Sequence, residues 1–403
     1  MTHSADSFSM TGEPAARTVV HALRPSLIRD VANAGFGVPD MLPFWFGESD
    51  RVTPDFIRDA AAAALRDGAT FYTHNLGTAP LRDAIAAYVS ARHGATAADM
   101  VAVTSSGVSA LMLAAQMLVG PGERVVAVTP LWPNLVEIPK ILGAHVECVP
   151  LGYGGAGWQL DVERLLAALT PGTRMLLINS PNNPTGWTMS RDDQRAVLAH
   201  CRRHGIWLVA DEVYERLAFD DDGAPSFLDI ASRDERVVVV NSFSKAWAMT
   251  GWRLGWLVAP ASVMGDLSKL VEYNTSCAPG FVQAAGEVAL RDGEPFVRSF
   301  VAALREARDH LVTALRTLRT LPDVEVQPPP GAMYLFLRVP GAADSLTFCK
   351  TLVRDAGLGL APGRAFGPEG EGFVRWCYAC DPARLDAGVE HLRRFLARGA
   401  AAR

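Results

Sequence analysis

The 403-residue sequence predicts an α/β protein: a mostly parallel sheet covered by helices on both faces, joined to a smaller α+β unit. Three observations predict it. The chain exceeds the usual single-domain length, and 49% hydrophobic against 20% charged residues is the balance of a globular protein able to bury a large core. From Arg124 onward four short β-rich apolar runs, RVVAVTP, RMLLINSP, WLVADE and VVVVNSFS, alternate mostly with helical stretches, as strands buried on both faces do. After about Leu290 the texture shifts to long helical stretches, a Pro-rich joint (QPPPGAMYLFLRV) and mixed structure, which reads as the smaller unit.

Each element follows in order. Residues 1–17 are small and polar and are expected to form a flexible tail. In LPFWFGESD, Phe44, Trp45 and Phe46 suit either strand core or the wall of an apolar pocket. VAVTSSGVSALMLAAQML reads as a strand stopping at Thr104, a Ser-Ser-Gly turn and a helix. GYGGAG fits the spacing of a dinucleotide fingerprint, but WQLD follows it instead of a helix, so a flexible turn is expected. SRDDQRAVLAHCRRHG starts on Ser190 with Asp193 at capping-box spacing and ends in a basic turn before Gly205, a helix between two strands. VRWCYAC reads as a strand, and LARGAAAR as a fraying tail.

Net charge is −5 with basic residues scattered, which argues against nucleic acid or an acidic membrane as partner and for a small molecule. Without a signal-peptide core or a membrane-length apolar run, a cytoplasmic location is expected. The six cysteines are too sparse for a disulfide framework. Cys377 and Cys380 form a CxxC with no second pair, so they are expected to be plain thiols and no metal is predicted.

The polar residues carry the functional signal. In open parallel sheets ligands bind at the carboxyl ends of strands. Three successive apolar runs end in polar clusters: NNPTG with Asn183, DEVY with Asp211 and Tyr214, and SFSK with Ser242, Ser244 and Lys245. Any one of these passes for a helix cap, a turn or a solvent-facing lysine; all of them on one edge do not. The helix opening at Ser106, Gly107 and Val108 offers free N–H groups to an anion, although a plain capped helix explains it equally well. A phosphate nest, an imine-forming amine, a carboxylate for a protonated ring nitrogen and donors for a ring oxygen are together the requirements of pyridoxal 5′-phosphate.

NNPTG, DEVY, SFSKAWAMTGWRLGW and GFVRW, in this order, resemble the motifs of fold-type I pyridoxal-phosphate enzymes of the class I/II aminotransferase family, over a span from about Phe44 to the C-terminal helices. The resemblance implies a sheet of seven-stranded type in a large cofactor domain (residues 46–285) and a small α+β domain (18–45 with 286–403). It implies that Lys245 forms the internal aldimine and moves the substrate α-proton, that Asp211 pairs with the ring nitrogen, and that Tyr214 and Asn183 donate to the ring oxygen. Arg253, Ser242, Ser244 and the nest at Ser106, Gly107 and Val108 match the phosphate site, and Trp132 the ring stacked on the cofactor. Arg375 matches the grip on the substrate α-carboxylate, with Gly47 and Asn183 beside the substrate; Ser49 stands where the family more often has proline. Tyr72 matches a tyrosine reaching the neighbouring subunit's phosphate, which implies a homodimer with shared sites.

The expected reaction is ping-pong transfer of an amino group between an L-amino acid and a 2-oxo acid. A lyase or synthase of the same fold is the alternative. A noncatalytic regulator and a nicotinamide-dependent dehydrogenase are remote. Because Val108 stands where some relatives place a lysine for a distal carboxylate, a neutral aromatic or aliphatic donor is expected.

Overall fold

Seven strands form the central sheet: β1 (Val101–Thr104), β2 (Arg124–Thr129), β3 (His145–Pro150), β4 (Thr173–Asn179), β5 (Trp207–Asp211), β6 (Val237–Ser242) and β7 (Gly255–Val258). The computed structural model describes residues 16–219, 223–318 and 326–401, so the tail expected over 1–17 lies outside the described residues apart from its last two. The spatial order is β1-β7-β6-β5-β4-β2-β3, parallel except for β7, which runs antiparallel to both neighbours.

Period-two alternation explains why these apolar runs become strands with both faces covered. In β5, Trp207 and Val209 join one core cluster while Leu208 and Ala210 join another; in β6, Val238 and Val240 oppose Val237 and Val239 in the same way. One cluster is closed by helices α4 (Gly107–Leu118), Pro133–Ile141 and Met264–Glu272, the other by Val162–Ala168 and Arg191–His204. The last of these helices is bounded as its sequence predicts: Ser190 Oγ accepts from Asp193 N at 3.1 Å, and Gly205 adopts φ +66° after a basic final turn.

A second, antiparallel sheet orders Tyr334–Arg338, Phe373–Cys377 and Ala361–Pro362. Helices α1 (Leu27–Gly35) and Ser345–Ala356 pack together over it, and the short strand Leu42–Pro43 pairs in parallel with Leu358–Gly359, tying the N-terminal segment to the C-terminal third. Helix Gly280–Asp292 runs through the boundary expected at 285/286 and packs on α2 (Asp55–Arg66) and α3 (Ala79–Arg92).

Three local readings differ. GYGGAG is a β-hairpin, Gly152–Gly154 against Gly157–Gln159, with Gly157 at φ +84°; no helix opens there, so the dinucleotide fingerprint is not formed. LARGAAAR is helical to Ala401, continuing Pro382–Ala401, because alanine, leucine and arginine are strong helix formers. The strand in VRWCYAC ends at Cys377, where the Cys377 and Tyr378 N–H groups turn to the carbonyls of Phe44 and Met333. All six cysteines are free, no cluster of metal-ligating side chains occurs among the described residues, and none of their helices is long and apolar enough to cross a membrane.

Candidate active site

The carboxyl ends of the central strands meet in register. Asn179 at the end of β4 lies opposite Asp211 at the end of β5, while Ser242 and Thr104 flank Gly255. A Cβ on Gly255 would fall 2.5 Å from Gly107 N, so only glycine lets the sheet pass directly under the start of α4. Over this edge opens a cavity of about 700 Å³, closed from the other side by Phe46, Gly47, Tyr334 and Arg375 and by the first turn of α1.

Lys245 lies half-buried in it, three residues past β6. Its Nζ donates to the Gly47 carbonyl at 2.6 Å and stands 5.6 Å from the centre of the Tyr214 ring. Burial lowers its pKa to about 8, aided by the Arg375 charge and opposed by Cys377, Glu48 and Asp211. Asp211 is 3% exposed. Burial raises its carboxyl to about 7, with the Val213 N–H at 3.3 Å and the Lys245 charge pulling the other way. Acid and amine are thus both displaced toward neutrality in one cavity.

Asn179 organises the next step: its Nδ2 donates to the Asp211 carbonyl at 3.0 Å and its Oδ1 accepts from Asn183 N at 2.7 Å. Asn183 Oδ1 in turn accepts from Arg375 Nη1 at 2.8 Å. Arg375 is buried, places its guanidinium 4.4 Å from the Tyr334 ring centre, donates through Nη2 to the Trp45 carbonyl, and has no partner for Nε among the described residues. A buried, unsatisfied guanidinium donor costs free energy that an acidic ligand would recover. Tyr214 shares a 2.6 Å hydrogen bond with the Tyr334 hydroxyl.

At the opposite end Ser242 Oγ lies 2.9 Å from Ser244 Oγ, and Arg253 Nη1 donates to the Thr250 carbonyl at 2.6 Å and contacts Ser244 Oγ at 3.5 Å. Ser106 caps α4, accepting from Ser109 N at 3.0 Å. The N–H groups of Gly107 and Val108 have no acceptor among the described residues, as the first turn of a helix leaves them. Gly107 is a cradle: a Cβ there would meet Ser242 Cβ at 3.2 Å and Val213 Cγ1 at 3.4 Å.

Gly47, Gly107, Val108, Trp132, Asn183, Asp211, Tyr214, Ser242, Ser244, Lys245, Arg253 and Arg375 all line the cavity. Ser106 lies buried behind it as the helix cap, and Tyr72 is outside, 88% exposed on the surface. Of the three aromatics before Gly47, Phe44 and Trp45 are core and Phe46 alone faces the cavity. The reading from sequence missed Tyr334, Asn179 and Arg29. Only Tyr334 had a usable signal: its phenol stands in an otherwise apolar run, YLFL, beside the Pro-rich joint.

Known proteins are similar to this chain over most of its length. Residues 42–392 match the family described as Aminotransferase class I and II. The aspartate aminotransferase of Pyrococcus horikoshii is 32% identical over 376 residues, covering 93% of this chain and 95% of the relative. Aromatic-amino-acid aminotransferase 2 of Thermococcus litoralis is 31% identical, covering 93% and 96%. The solved structure of N-succinyldiaminopimelate aminotransferase from Mycobacterium tuberculosis superposes with a TM-score of 0.89 at 27% identity, over 94% of this chain and all of that one. With the lysine, the carboxylate and the arginines gathered at one sheet edge and the match running from the first paired strand to the last helix, the chain belongs to the class I and II aminotransferase family and is a transaminase.

Proposed function

We propose that the cavity holds pyridoxal 5′-phosphate and that the enzyme moves an amino group between an L-amino acid and a 2-oxo acid in a ping-pong cycle, with Lys245 carrying the proton. The residues present fit that cofactor. The serine hydroxyls, the Arg253 fork and the free N–H groups of Gly107 and Val108 suit a phosphate dianion, and the glycine at 107 leaves room for its close approach. A carboxyl raised to about 7 by burial suits a protonated ring nitrogen, which would supply the positive charge that burial denies it.

When bound, the cofactor supplies an aldehyde and an electron sink for the electrons left at the substrate α-carbon. The chain's residues do the rest. Lys245, whose pKa burial lowers to about 8, would accept the proton from the substrate α-carbon at Nζ and hold it there for return to the reacting centre. Asp211 holds the ring nitrogen protonated. Tyr214 and Asn183 would bond the ring oxygen, and Trp132 would pack against the ring. Arg375 clamps the substrate α-carboxylate, orienting the α-hydrogen toward Lys245, with Gly47 beside it.

In the same reading, residues 46–285 form the cofactor domain and 18–45 with 286–403 a smaller domain that closes the substrate side. Tyr72 reaches the phosphate of a second copy in a homodimer; the exposed aromatics Phe71, Tyr72 and Tyr273 support such an interface. The observation that carries the proposal is the gathering of Lys245, Asp211, Arg253 and Arg375 in one cavity at the carboxyl edge of the sheet. Borohydride reduction of the purified enzyme followed by peptide mapping should place a pyridoxyl group on Lys245, and added amino acid should shift the cofactor absorbance while releasing the 2-oxo acid. An unmodified Lys245 peptide would refute it.

A further inference from the structure

The cavity contains four cations, and the proposed cofactor and α-carboxylate engage three of them: Lys245, Arg253 and Arg375. The fourth is Arg29, in the first turn of α1, on the wall formed by Ser26, Ile28 and Phe46. Its guanidinium lies 4.6 Å from the centre of the Phe46 ring. The acid next to it, Asp30, is taken by Lys350 at 2.7 Å, and no carboxylate among the described residues pairs with Arg29. Phe46 directly precedes Gly47, whose carbonyl accepts a hydrogen bond from Lys245 Nζ at 2.6 Å, so the guanidinium lies over the residue next to the one the lysine touches. The Ser26 cap presents the positive end of α1 on the same wall.

Resting on the transaminase reading above, we infer that Arg29 is a specificity-determining residue that binds the distal carboxylate of a dicarboxylic substrate, an acidic amino acid or its 2-oxo acid. A planar fork stacked on an aromatic face keeps its in-plane donors free for bidentate pairing with a carboxylate. The inference runs against the neutral donor expected from Val108: the cation would come from the N-terminal segment, nearly eighty residues away in sequence. Because the Arg29 side chain is exposed at the cavity mouth, it can also turn outward and admit a neutral side chain along Phe46 and Ile28. Glu48, the acid at the same mouth, makes no ion pair with Arg29, and it is the group that would recruit a basic donor if the site had the opposite preference.

The test compares Arg29→Gln and Arg29→Lys with the wild-type holoenzyme. The ratio of kcat/KM for glutamate or aspartate to kcat/KM for methionine or phenylalanine should fall by about 10- to 100-fold in Arg29→Gln and by less in Arg29→Lys, which keeps the charge without the fork. Calorimetric titration of the holoenzyme with glutarate, which cannot react, should weaken by a similar factor in Arg29→Gln while titration with butyrate does not. An unchanged ratio with unchanged glutarate affinity overturns the inference. So does an equal loss on every donor, which would mark Arg29 as structural, and so does a preference for basic donors abolished by Glu48→Gln. Failure of the transaminase reading is separate: the wild type would then turn over no amino donor and carry no pyridoxyl group on Lys245.

Discussion

Five consecutive residues, Asp211 to Glu215, send their polar groups into two different environments. Asp211 and Tyr214 face the cavity, where the carboxyl has no cation in hydrogen-bond range and burial raises it to about 7. Glu215 faces away, 3.0 Å from Arg92 Nε, and His93 Nε2 stands 3.3 Å from the same carboxylate oxygen as an ionic contact not aligned as a hydrogen bond. Beyond it His93 Nδ1 meets Asp229 at 2.9 Å, and Asp229 pairs with Arg191. Burial works against charge in both places; in the second, protein partners outweigh it, holding Glu215 below the ordinary carboxyl range and His93 up at about 10. Glu212 is intermediate: burial raises it to about 7 although it accepts from Phe227 N at 3.0 Å. The difference teaches that a buried charge matched within the chain serves the fold, while one left unmatched awaits a ligand.

Substitutions should separate the two regions. Lys245→Ala should lower transamination by roughly 10,000-fold or more, yet leave the urea midpoint unchanged or raised, because it removes a half-buried amine that no carboxylate among the described residues pairs with. A large drop in midpoint would erase the distinction drawn here. Glu215→Ala should do the opposite, costing about 3–5 kcal/mol of stability by leaving Arg92 and His93 without their shared carboxylate, with a much smaller effect on turnover by the folded fraction. Chemical denaturation paired with active-site titration would measure both. Asp211→Asn comes next, with a loss of about 100- to 1,000-fold in kcat and little change in stability.

Acid and alkali should also act differently on the two regions. His93 has a folded pKa above its unfolded 6.5, so its contribution to stability is complete below 6.5 and is lost as pH rises through about 10. Asp229, lowered from 3.8 to about 2 against burial by His93, Ser226 N–H and Arg191, contributes fully above 3.8 and loses that contribution as pH falls through 2. Urea unfolding of wild type against His93→Gln should therefore converge at high pH and differ most between about pH 4 and 6.5. Lys245 has the reverse dependence: in cofactor-free protein its reaction with an amine-specific reagent should rise through pH 8, and a rise centred near 10.5 would mean that the cavity does not perturb it. The smallest effect is expected for Tyr334→Phe, which removes the 2.6 Å bond to Tyr214 and should slow turnover by roughly 3- to 10-fold.

Much of the site was legible because its chemistry sits at strand ends. β4, β5 and β6 announce themselves by apolar runs, and the residue types that follow, Asn183, Asp211 and Lys245, are out of place in core. Arg29 was not legible, because an exposed arginine on an amphipathic helix looks the same in sequence whether or not a cavity lies beside it; Tyr334 offered only the oddity of a phenol in the apolar run YLFL. Nor does DEVYE reveal which of its acids faces the ligand, since the chain leaves the period-two strand at Asp211 and turns before Glu215.

The sequence by itself determined the alternation that buries both faces of the sheet, the capped helix after Ser190 and the order in which polar groups reach the carboxyl edge. All of these rest on interactions within a few residues, where backbone geometry and side-chain periodicity decide the outcome. Only the tertiary structure decided that the Gly47 carbonyl accepts a hydrogen bond from Lys245 across 198 positions and that Arg375 meets Asn183 across 192. It also placed Arg29 in the same cavity. Charges so far apart in sequence meet only after both sheets have packed, and whether each is then matched or left for a ligand depends on which partners the packing brings within reach.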